Sequence, residues 1–149
     1  MPGRYYVRRL DELPSVPDPE PRDPDWRPVR HYFGIESFGV NAFVATVGDE
    51  ELVVDHDEVS GNAQGHQELY YLARGRARFS LDGDELDIDE GTFVACPDPT
   101  VRRGAVALEP GTVVLAIGAP AGRAFAPTAW ERKWTPRVRP ATDEPHDLT

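Results

Sequence analysis

The chain has 149 residues, a length that makes one domain around one core, and its 26 acidic against 16 basic residues leave a formal charge of -10. Such a surface repels polyphosphate and anionic lipid, so neither nucleic acid nor a membrane is an expected partner. One cysteine, Cys96, excludes an internal disulfide framework and a cysteine-based zinc knuckle; the amino terminus has no apolar run of signal-peptide length and no stretch approaches a membrane span, which points to a cytoplasmic protein.

Residues 1–30 hold seven prolines, Pro2, Pro14, Pro17, Pro19, Pro21, Pro24 and Pro28, interleaved with charge. Fixed φ angles and missing amide donors make this an extended arm, either loose or strapped across the body. Tyr5, Tyr6 and Trp26 are aromatic groups that a strapped arm would use.

From His31 short apolar runs alternate with turn residues. Val40 to Thr46 and Leu52 to His56 read as strands with a turn at Gly48 and Asp49. HQELYYLA, residues 66–73, is a strand that puts His66, Glu68, Tyr70 and Leu72 on one face. In Arg76 to Leu81, Ala77, Phe79 and Leu81 alternate with polar residues, and Asp82-Gly83 predicts a two-residue hairpin turn into a return strand through Leu86 and Ile88. After Glu90-Gly91 come TFVAC (92–96), VRRGAVAL (101–108), a turn at Pro110-Gly111, and TVVLAIGA (112–119). About eight short strands at a spacing near ten residues, with no helical period between them, indicate an antiparallel sandwich or barrel. Beyond Gly122 a short helix is expected near Thr128 to Lys133, with Trp130 and Trp134 on one face as an anchor to the barrel or to a partner subunit. An acidic tail containing His146 follows.

Glu68, six residues, Gly75, the Asp82-Gly83 hairpin, then Gly91, five residues and Pro97 resemble the two signature blocks of the cupin superfamily, across about residues 40–120. The resemblance implies an all-β cupin double-stranded β-helix, a jelly-roll barrel. The expected organisation is a proline-rich N-terminal arm (1–30), the barrel (31–120) and a short C-terminal extension (121–149). It also implies a homodimer. Activity does not follow from it, because the superfamily holds enzymes, sensors and storage proteins alike.

Metal-binding cupins carry His-x-His three or four residues before the glutamate and a further histidine five residues after the proline. By the shorter of these spacings Asn62, Gln64, Glu68 and Arg102 stand at the four positions here, and only Glu68 is a ligand type. In a second register the loop before the glutamate strand is longer. His56 and Glu58 then end one strand and face His66 and Glu68 on the next, a set suited to manganese, iron, nickel or zinc.

The expected pocket is therefore the barrel mouth, lined by His56, Glu58, His66, Glu68, Tyr70 and Arg102. The leading expectation is binding of a small polar, anionic molecule without a tightly held metal, with Arg102 or Arg103 as an anion hook or Arg102 as the ion-pair partner of Glu68. The His/Glu pair could also serve as acid and base. One alternative is a metal-dependent dioxygenase or isomerase holding one divalent transition metal on His56, His66 and Glu68. Another is a non-catalytic structural or interaction protein. Cys96 is expected to be packing, and His31 and His146 are assigned no role.

Overall fold

The computed structural model describes residues 3–17, 24–61 and 63–142. Pro2, Pro19, Pro21, Asn62 and His146 lie outside these. A 3-10 turn at Leu10–Glu12 is followed by strand β1 (Asp25–Arg27) and helix α1 (Val29–Phe33). Eight further strands follow: β2 (Gly39–Val44), β3 (Glu51–His56), β4 (His66–Arg74), β5 (Arg76–Leu81), β6 (Asp84–Asp89), β7 (Phe93–Cys96), β8 (Arg103–Ala107) and β9 (Val113–Pro120). Helix α2 (Ala129–Trp134) and a 3-10 turn at Thr135–Arg137 close the described chain.

The strands form two sheets, ordered β1-β2-β9-β4-β7 and β3-β8-β5-β6, and every pairing is antiparallel. After the β5–β6 hairpin, successive strands cross between the sheets, which is the jelly-roll connectivity the turn spacing predicted. Asp82 and Gly83 both take positive φ, 51° and 88°, as the tight β5–β6 turn requires.

Alternation along each strand places the core. Tyr70, Leu72, Val94, Cys96 and Val114 from one sheet meet Val53, Ala77, Phe79, Ala105 and Ala107 from the other. A smaller cluster of Val16, Trp26 and Val138 packs with Phe43 and Trp134 at the β1–β2 edge, joining the segment before β1 to the one after α2. Strand β1 was not anticipated in the arm. It is a three-residue edge strand between Pro24 and Pro28, where missing amide donors cost least. No helix among the described residues is long and apolar enough to cross a membrane.

Candidate functional site

Strand β3 ends at His56, which pairs with Arg103 on β8. On the opposite sheet, β4 turns Glu68 and Tyr70 inward because Tyr70 and Leu72 are core positions and Glu68 shares their parity. The loop after β3 doubles back. The Glu58 amide donates to the Pro99 carbonyl at 2.9 Å and its carbonyl accepts from the Gly65 amide at 2.8 Å, while the Asp57 carboxylate caps the amides of Val59 and Ser60. These bonds bring the Glu58 side chain back against His56.

The polar groups converge on two oxygens. His56 Nε2 lies 2.9 Å from Glu58 Oε1 and 3.5 Å from Glu68 Oε1, and its Nδ1 lies 2.6 Å from the Val54 carbonyl. The Val54 carbonyl only accepts, so Nδ1 donates to it, and Nε2 donates to the carboxylates when they are ionised. Glu68 Oε1 also accepts from the Tyr70 hydroxyl at 2.7 Å and from Arg103 Nη1 at 3.0 Å. Arg103 Nη1 is 3.8 Å from Glu58 Oε1, and Nη2 donates to the Asp98 carbonyl at 3.3 Å. Side-chain exposure falls from 36% at His56 through 14% at Glu68 and 11% at Glu58 to 0% at Arg103. The cluster therefore runs from solvent into the barrel.

The same contacts set the proton affinities. Hydrogen bonding to Glu58 and then to Glu68 outweighs burial and lifts His56 to about 10. Burial, with the neighbouring Glu68 charge, raises the Glu58 carboxyl above its ordinary value. Burial works the same way on Glu68, but donation from His56, Glu58 and Tyr70 outweighs it and the carboxyl ends below the ordinary range. Burial and the Glu68 charge push the Tyr70 phenol well above its usual value. Glu58 is thus the weaker acid of the two.

Four of the six residues expected at the pocket, His56, Glu58, Glu68 and Tyr70, come together. His66 does not join them. It is 7% exposed, its ring packs 5.5 Å from that of Phe125, and Nε2 has no hydrogen-bond partner. Two residues before Glu68 on the same strand, it starts ~6.6 Å further along, toward the end that Phe125 covers. The expected pairing of Glu68 with Arg102 is corrected as well. Arg102 points outward and binds Asp55 at 2.7 Å, while Arg103 reaches Glu68. Cys96 is buried, and burial raises its thiol.

A divalent metal, which the cupin resemblance suggests, does not fit these residues. Single donor atoms of His56, Glu58 and Glu68 do lie within 4.8 Å of one another. However, Glu68 Oε1 already accepts from Tyr70 and Arg103. The guanidinium cannot deprotonate to make room for a second cation. Arg103 already sets a permanent positive charge beside both carboxylates, which opposes a second cation there.

No protein-family model matches the chain, and no curated protein matches it. Solved structures do. An RmlC-like cupin protein from Desulfovibrio desulfuricans is 20% identical, with 78% of this chain and 97% of that chain covered at a TM-score of 0.58. KdgF from Halomonas sp. is 23% identical, with 75% and 92% covered at 0.55. A protein from Acidithiobacillus ferrooxidans described as a proposed sugar phosphate isomerase is 18% identical at 0.54, and this chain covers 64% of its own length but only 58% of that chain. The fold is that of the cupin superfamily, a jelly-roll barrel with its polar cluster between the two sheets.

Proposed function

We propose that this cupin-fold protein binds a small polar, hydroxyl-bearing molecule at the barrel mouth, through His56 and Glu58 and without a metal. The observation that carries the reading is the graded cluster itself: a partly exposed imidazole backed by two shielded carboxylates and a buried guanidinium. Shielded charge is costly to hold in a fold, and a polar ligand is a reason to keep it. In this reading a neutral molecule replaces the anion expected from sequence. Both candidate hooks are already in ion pairs, and a hydroxyl can donate to Glu58 while accepting from His56. Proton transfer is a second reading, favoured by the 2.9 Å contact between protonated His56 and the weakened acid Glu58. The fold likeness to a proposed sugar phosphate isomerase makes sugars a sensible class to try first.

The test is thermal unfolding with a panel of neutral sugars and polyols, sugar acids and small amines. A neutral polyol or sugar is expected to raise the midpoint of the wild type and to lose that effect in Glu58→Gln. Shifts that persist undiminished in Glu58→Gln and in His56→Ala would place binding elsewhere.

The same reading takes the protein as a homodimer. The outer face of the five-stranded sheet presents Val40, Leu69, Tyr71, Phe93, Leu115 and Ile117, with Phe93 63% exposed, and a depression of about 340 Å³ beside them. A chain of charge -10 meets its own copy most favourably over these uncharged residues. Light scattering after size exclusion is expected to give twice the chain mass for the wild type and the single mass for Phe93→Glu. Equal masses for the two would remove this face from the interface.

A further inference from the structure

Arg103 is the most deeply placed charge among the described residues of the barrel, with a side chain at 0% exposure. It is not held there by packing alone. Its Nη1 crosses from β8 to Glu68 on the opposite sheet and approaches Glu58, and its Nη2 is tied to the Asp98 carbonyl. A guanidinium placed so is both a charge and a brace, since it fixes two carboxylates from different parts of the chain. In the metal-binding proteins that the sequence resembles, a divalent ion is held among histidines and a glutamate. Here three donors converge and the positive charge beside them is covalent.

We propose that the Arg103 guanidinium is the resident cation of this barrel, holding Glu58 and Glu68 in place where a metal would otherwise do so, and that Arg103→His converts the site into a metal centre. Arg103 is directly paired with His56 across β3 and β8, so an imidazole at 103 projects on the same side as that of His56. It would remove the competing cation, free the Glu68 oxygen of one donor, and add a neutral nitrogen to His56, Glu58 and Glu68. Arg103 is in these terms a positioning residue acting through the two carboxylates. The inference deepens the metal-free pocket proposed above and rests on that placement. Its test is separate, because metal uptake is read without any organic ligand.

Tag-free wild type, Arg103→His and Arg103→Lys, each stripped with chelator and checked for folding by circular dichroism, are titrated with cobalt(II), zinc(II) and manganese(II). Calorimetry and the visible absorption of cobalt(II) are the readouts. The expected result is no specific uptake by the wild type or Arg103→Lys. Arg103→His should take up cobalt near one ion per chain with a ligand-field band, lost again when His56→Ala is added. Specific metal uptake by the wild type that Glu68→Gln abolishes would overturn the proposal, whatever the variants do. A folded Arg103→His that takes up no metal would overturn it too. If Arg103→His does not fold, the wild type and Arg103→Lys decide: uptake by either overturns the proposal, and metal-free behaviour of both supports it. Failure of every sugar to bind would leave these outcomes unchanged, and would count only against the ligand.

Discussion

Hydrogen bonding to Glu58 and then to Glu68 holds on His56 a proton that a free imidazole would lose at neutral pH. Its affinity is raised on folding, so the associated stability is complete below the unfolded value of 6.5 and disappears as pH climbs through about 10. Urea midpoints measured across that interval are expected to fall more steeply for the wild type than for His56→Gln. Parallel declines would mean that the imidazole does not hold its proton against the two acids. The neighbouring choice between Arg102 and Arg103 was legible from alternation. Ala105 and Ala107 point into the core, and counting back by two reaches Arg103. Family spacing from Pro97 reached Arg102 instead, because it counts residues along a loop whose length varies. His66 misled for a related reason. Parity put it on the correct face, but it could not reveal Phe125, far along the chain, lying against its ring.

At the scale of elements, the hairpin and the strands follow from local chemistry, and two glycines separate backbone strain from crowding. Gly91 has φ of 85° with open space where a side chain would go. Gly75 has φ of 81°, but a Cβ there would lie 2.9 Å from Thr112 Cα and would clash with its hydroxyl. Gly91→Ala is therefore expected to cost ~1 kcal/mol from the left-handed backbone alone. Gly75→Ala should cost ~3 kcal/mol or more, since the buried Thr112 and the strand behind it must shift. Urea denaturation of both variants checks the difference, and equal losses would show that strain alone acts at both turns. The turn residues announced these positions in the sequence, but the contact at Gly75 depends on β9 arriving behind it. Strand β1 escaped notice for want of signal: three residues between prolines carry no periodicity.

Across the whole molecule, the arm and the C-terminal segment close over one edge of the barrel. Trp26 packs with Val16, Val138 and Phe43, its ring lies 4.5 Å from that of Trp130, and its Nε1 donates to Asn41 at 2.8 Å. Asn41 in turn donates to Glu131, which also binds Arg30. Trp26→Ala is expected to cost ~3–5 kcal/mol, as loss of a buried indole commonly does, and to expose both segments to limited proteolysis. Trp130→Ala, at a half-exposed ring, should cost less. Equal effects would mean that the clamp is centred on α2. Composition, parity and turn chemistry by themselves determined a two-sheet barrel, its hairpin, and the inward face of β4, because each depends on neighbours a few residues apart. Only the tertiary structure decided which charges meet. Glu68 finds Arg103 from the opposite sheet, 35 residues away, and Glu58 joins them because a loop turns back under hydrogen bonds to Pro99 and Gly65. Such contacts are fixed by how two sheets stack and how long a loop is, and neither leaves a periodic trace in the chain.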